Sequence, residues 1–148
     1  MTRFTFRLES ILQIKLKLEE QAKMEFGAAK ARLNEEEDKL ESLKIRKKGY
    51  ENELIRLYSD LLDVRQINHT ASAIKIVDGQ IKTQSFAVKR AEKQVEIATD
   101  KLNRVMQERK SMEKLKENKF AEYMREYNEE ESKQTDELIS YQYGKAEE

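Results

Sequence analysis

The sequence of 148 residues has no cysteine, no proline and no tryptophan, and only four glycines and one histidine. Without cysteine there is no disulfide, no thiolate nucleophile and no sulfur ligand for a metal, which suits a reducing cytosol. Without proline there is no obligatory helix breaker, and a glycine in a helix interior costs only about 1 kcal/mol against alanine. Gly27, Gly49, Gly79 and Gly144 are too scattered to form a phosphate-binding loop. No stretch approaches the roughly 20 apolar residues of a membrane span. Net charge is missing as well: 29 basic residues balance 29 acidic ones, so nothing draws the whole chain to nucleic acid. The opening residues interleave Arg3 and Arg7 with Phe4, Phe6 and Leu8. They contain neither an apolar run nor a small-residue cleavage site, and are not read as a signal peptide. The default location is cytoplasmic.

What is abundant is charge, 39% of residues, together with 38% hydrophobic residues in a fixed rhythm. Phe26, Leu33, Leu40, Leu54 and Leu61 form one set at multiples of seven; Ala22, Ala29, Leu43, Tyr50, Leu57 and Val64 form a second. Glu36 and Lys47 interrupt them. A seven-residue repeat keeps one narrow stripe facing a partner helix and winds the pair into a left-handed coiled coil. Upstream, Phe4, Ile11 and Leu18 suggest a register that rejoins the main one through a stutter at Ala22 and Phe26. A later stripe carries Ile67, Ile74, Ile81, Val88, Val95 and Leu102, accompanied by Val77, Ala91, Ala98, Val105 and Met112. Gln84 is its polar exception. It weakens at Arg109 and Lys116 and resumes, shifted, at Phe120, Tyr123 and Tyr127.

These stripes predict an all-α protein, a long antiparallel two-helix coiled-coil hairpin forming a single domain over 1–148. The first helix is expected over about 5–66, the turn over about 67–72 and the second helix over about 73–140. Asn68, Thr70 and Ser72 compete for backbone hydrogen bonds and favour turns and caps. Asp78-Gly79 is the competing break. The shorter arm would be roughly 100 Å long at 1.5 Å per residue, and the last residues from Tyr141 onward would fray.

Such a chain offers little chemistry. His69, alone and in the expected turn, cannot make a metal site with another histidine. The carboxylates lie on solvated faces with no cleft to shift their pKa. No catalytic, cofactor-binding or metal residues are assigned, and the chain is read as not an enzyme. The basic run Lys44 to Lys48 is flanked by acids and lacks interleaved aromatics, so no nucleic-acid partner is expected. The stripe is too narrow for direct membrane insertion. Aromatic residues at the two ends, Phe4 and Phe6 with Tyr123, Tyr127, Tyr141 and Tyr143, exceed what a two-helix seam can bury, which marks a contact site.

The opening Phe4-x-Phe6-x-Leu8-Glu9-x-Ile11-Leu12-x-x-Lys15, followed by Glu19-Glu20 and Glu25-Phe26-Gly27-x-Ala29, resembles the flagellar export protein family FliJ. Glu131-x-Lys133-x-x-Asp136-Glu137 is similar to that family's C-terminal signature. The resemblance implies a component of the bacterial flagellar type III export apparatus, stalk-like and chaperone-like, peripheral to the inner face of the cell membrane at the flagellar base. It implies three partners: the hexameric flagellar export ATPase, the cytoplasmic linker of the export gate protein FlhA, and export chaperones. Carried onto this sequence, Phe4, Phe6, Leu8, Ile11, Leu12, Asp136 and Glu137 would face the ATPase, and Lys75, Ile76 and Phe86 the export gate. The alternative is a generic coiled-coil scaffold unrelated to an ATPase, a parallel dimer whose register Glu36 and Lys47 would set.

Overall fold

A computed structural model describes residues 3–59 and 61–147. Two long helices, α1 (Glu9–Ser59) and α2 (Val64–Glu147), pack against each other as a helical hairpin, and no strand occurs among the described residues. Glycines raise no barrier to this: Gly27, Gly49 and Gly79 all lie inside helices. The pairing is antiparallel. Lys15 meets Glu108 across 93 residues of sequence, Lys101 meets Glu25 across 76, and Gln84 meets Glu36 across 48.

The chain divides into two compact units. One comprises residues 21–103, the other residues 1–20 with 104–148. In the first, Ala22, Leu57, Val77, Val88 and Ala91 form the buried apolar positions; in the second, Leu12 and Val105 do.

The turn lies earlier than the sequence suggests. α1 ends at Ser59, whose hydroxyl donates to the carbonyls of Ile55 and Arg56, each at 3.0 Å. α2 begins at Val64, capped by Asp63, whose Oδ1 accepts the backbone N–H groups of Arg65 (3.1 Å) and Gln66 (3.4 Å). A side-chain acceptor here satisfies N–H groups that have no partner inside the helix. The expected turn at 67–72 therefore stands inside α2, as does Asp78-Gly79. Asn, Thr and Ser cost a helix at most about 0.7 kcal/mol each. Thr70 recovers this by occupying a buried seam position between Ile67 and Ile74. Leu61 and Val64, expected at the end of the first seam, lie past α1 and are exposed.

The helix ends shift in the same way. Residues 3–6 are not helical, so the first helix starts at Glu9 rather than near residue 5. At the other end α2 continues through residues 141–147, beyond the expected end near 140.

The early register also differs. From Leu12 to Leu57 the shielded positions of α1 step by three and four without interruption, and from Ile67 to Lys116 those of α2 do the same. No stutter occurs near Ala22. Ile11, Ile14 and Leu18 face solvent, and the seam runs instead through Leu12 and the buried Glu19. An acid sits on an apolar seam because a base meets it: Arg109 donates through Nε and Nη2 to the two Glu19 oxygens, at 2.5 and 3.2 Å. A guanidinium held this way, with Glu113 as a further acceptor, has its pKa raised.

Glu36, Lys47, Gln84, Arg109 and Lys116, which interrupt the two stripes, are each answered across the seam. Gln84 donates to the Glu36 backbone carbonyl at 2.9 Å and to its carboxylate at 2.5 Å. Lys47 pairs with Asp78 at 2.7 Å, and Lys116 with Glu9 at 2.8 Å.

Candidate functional site

Most of the sequence-predicted residues converge in the unit formed by residues 1–20 and 104–148. Residues 3–8 alternate: Arg3, Thr5 and Arg7 are exposed, whereas Phe4, Phe6 and Leu8 are half-buried. The chain then turns into α1, with the Glu9 N–H donating to the Phe6 carbonyl at 3.1 Å and the Leu12 N–H to that of Leu8 at 3.0 Å. Phe4, Phe6 and Leu8 line one cleft together with Leu115, Lys119, Glu122 and Tyr123 of α2.

The Phe4 ring is the anchor. It stands edge-on to Phe120 at 5.1 Å between centroids, with a 75° interplanar angle, and tilted against Tyr123 at 5.4 Å. Phe120 and Tyr123 stack at 6.3 Å, and Tyr123 and Tyr127 do so at the same spacing. These separations lie in the range where the ring quadrupoles attract. A helix spacing of three and four residues puts Phe120, Tyr123 and Tyr127 on one face of α2. The Tyr127 hydroxyl bonds to Glu131, which raises the tyrosine pKa because the neighbouring carboxylate resists a second negative charge.

Phe4 lines two open clefts. One, of about 700 Å³, is bordered by Arg3, Phe6, Arg7, Leu8, Lys119, Glu122 and Glu126. The other, of about 570 Å³, is bordered by Glu9, Leu12, Gln13, Lys116 and Phe120. Each is lined by apolar side chains together with charges of both signs.

The remaining predicted residues lie outside the ring cluster. Leu12 is buried in the seam, and Ile11 faces solvent. Asp136 and Glu137 are exposed on α2. They lie roughly 20 Å beyond Tyr123 along the helix at 1.5 Å per residue, so they do not share the Phe4 cluster. Lys75, Ile76 and Phe86 belong to the other unit and are all exposed. Ile76 borders a shallow groove with Leu43, Arg46, Gly79, Gln80 and Thr83. Phe86 lies under the Lys89 ammonium at 5.8 Å, outside that groove. His69, expected in the turn, is exposed on α2.

Sequence reasoning found Phe4 and part of its platform. Tyr123 and Tyr127 stand among the excess aromatics that the sequence groups with Phe4, whereas Phe120 is legible only as part of a shifted stripe, because its partner is a non-helical segment outside any heptad. Among the described residues no group of His, Cys, Asp and Glu is placed to hold a metal ion. None of the described helices is long and apolar enough to cross a membrane.

The family model of the flagellar FliJ protein matches residues 4–148. Searches of curated proteins and of solved structures gave no match. The matched region starts at the aromatic anchor Phe4 and covers both helices of the hairpin, and on that match the chain belongs to the FliJ family, non-enzymatic components of the flagellar export apparatus.

Proposed function

We propose that this chain acts, as a single domain, as a stalk-like adaptor and general chaperone of flagellar export. Its N-terminal segment would bind the hexameric export ATPase, and its other unit would reach the cytoplasmic linker of the export gate protein FlhA. The observation that carries this reading is the Phe4 cluster. Phe4 is held on Phe120 and Tyr123, while Phe6, Leu8, Arg3 and Arg7 remain accessible beside clefts of mixed charge. Aromatic and arginine side chains on a preformed surface are the groups from which interface hot spots are built. Asp136 and Glu137 would add a second, acidic contact to the ATPase.

For the gate, Ile76 beside Arg46 and Thr83 offers an apolar spot in a polar groove, with Lys75 alongside and Phe86 further along α2. Association with the inner face of the membrane at the flagellar base, and with export chaperones, would follow from those partners rather than from a lipid-binding segment of the chain.

The scaffold alternative loses its support. Glu36 and Lys47, which would set the register of a parallel dimer, are engaged by Gln84 and Asp78 of the same chain.

Capture by the immobilised cognate ATPase tests the proposal. The wild-type chain is retained, and a Phe4→Ala/Phe6→Ala double variant of unchanged helix content is lost. Equal retention of both removes the N-terminal segment from the contact.

A further inference from the structure

The seam of α2 does not stop where the N-terminal segment stops covering it. From Phe120 a three-and-four spacing continues through Met124, Tyr127, Glu131, Gln134, Leu138 and Tyr141. Phe4 covers its beginning. From residue 128 to residue 145 every side chain is exposed, including Leu138 at 62% and Tyr141 at 68%. Relative to the upstream seam this stripe is shifted and more polar, with Leu138 and Tyr141 as its uncovered apolar positions, and its width suits a single helix.

Charge narrows the choice of occupant. Residues 128–145 carry Glu129, Glu130, Glu131, Asp136 and Glu137 against Lys133 and Lys145. A second copy would bring two acidic stretches together. In the same unit, seam-side carboxylates are met by bases: Glu9 by Lys116, Glu19 by Arg109. Glu131 stands at a seam position of the uncovered stretch, where among the described residues its carboxylate accepts only the neutral Tyr127 hydroxyl, which leaves its charge without a base. By the same rule, what covers it brings a cation to that point. A net acidic helix also speeds the approach of a basic partner and repels acidic ones.

We propose that residues 128–145 of α2 are a docking face for a basic amphipathic helix of a partner protein, which lays apolar side chains on Leu138 and Tyr141 and a lysine or arginine on Glu131. This rests on the reading that this end of the chain is its partner-binding end, and it names the partner's chemistry.

The test uses the full chain and two fluorescent synthetic helical peptides. Both carry leucine at the seam positions; one has lysine at the flanking positions and the other glutamate. The lysine peptide is expected to bind at least tenfold more tightly. Leu138→Asp/Tyr141→Asp abolishes its binding, and Glu131→Lys weakens it at least fivefold while improving the glutamate peptide. Circular dichroism checks that each variant keeps its helix content. Equal binding of the two peptides, or no response to Glu131→Lys, overturns the proposal. So does a concentration-dependent dimer in light scattering that Leu138→Asp dissolves, which would assign the face to a second copy. No ATPase is present in this assay. Its failure therefore leaves ring capture through Phe4 standing, and a failure of ring capture leaves the peptide result standing.

Discussion

Replacing Phe4 by alanine should release the N-terminal segment without unfolding the hairpin. The Phe4 ring makes two aromatic contacts, at 5.1 and 5.4 Å, each worth about 0.5–1.5 kcal/mol beyond area burial. Half-burial of a phenylalanine contributes about 1 kcal/mol more. The total is about 2–4 kcal/mol. Against this, residues 6–8 are already tied to the start of α1 by backbone hydrogen bonds. What Phe4 itself must order is essentially Arg3, Phe4 and Thr5, at about 1–2 kcal/mol of backbone entropy per residue. The ring therefore supplies most of what offsets that ordering, and the docked form is the one the structure holds. While the undocked form is the minority, a loss of about 2 kcal/mol raises its population by more than tenfold, since each 1.4 kcal/mol is a factor of ten. Trypsin reads this directly, because cleavage at Arg7 requires the segment to leave α2, and its rate follows the open population. In Phe4→Ala, cleavage at Arg7 should accelerate at least tenfold while helix content stays unchanged. Phe86→Ala, a truncation of an exposed aromatic in the other unit, should leave that rate alone. An unchanged rate in Phe4→Ala would show that the cluster does not hold the segment, and the docking argument would fail.

Other perturbations separate the remaining claims. Asp63→Ala should lower stability by about 1 kcal/mol in urea unfolding through loss of the α2 cap, and Asp63→Asn should restore most of it. Leu57→Ala, at a buried seam position, should cost about 2–3 kcal/mol, whereas Ile55→Ala, exposed on the same helix, should stay within about 0.5 kcal/mol. The Glu36 carboxyl is held below its ordinary value of 4.5, first by the Gln84 hydrogen bond and then by Lys39, Arg32 and Arg90. Glu9 is lowered mainly by Lys116, and Glu53 by Arg56. A lowered folded-state pKa contributes stability above the unfolded value and loses it as pH falls through the folded one. Tm should therefore fall as pH drops below about 4.5, and Glu36→Gln should flatten that fall. Lys47, raised above 10.5 by Asp78, contributes in the opposite sense, losing its part only as pH climbs past that value.

The fold was legible because its seam is written in aliphatic residues wherever no polar pair intervenes. From Phe26 to Leu57 and from Ile74 to Met112 the heptads read from the sequence are the ones that pack. The failures of register concern polar residues on the seam. Glu19 is a poor seam residue when taken alone, so the sequence favoured a stutter through Leu18; the bidentate Arg109 pair makes Glu19 acceptable and keeps the repeat unbroken. Thr70 read as a turn residue for the same reason, because a lone hydroxyl carries no sign that its position is buried. The true start of α2 did leave a signal. Asp63 followed three residues later by Gln66 fits the pattern of a capping box, and the Asp63 carboxylate does bond the Gln66 N–H. The Phe4 anchor was visible as excess aromaticity, but its partner on α2 depended on the true turn position. Asp136 and Glu137 could be placed on the helix but not tied to the Phe4 cluster by any contact.

The turn position determines the register of every cross-helix pair, and intramolecular crosslinking measures it on a chain with no native cysteine to interfere. Cysteines replacing Glu25 and Lys101, whose side chains meet at 2.8 Å, should couple through a short thiol crosslinker at monomer mass. Cysteines replacing Phe26 and Met112, which a turn at residues 67–72 would bring face to face, should not. Efficient coupling of the second pair in place of the first, or products only at dimer mass, would contradict the hairpin closed by Asp63.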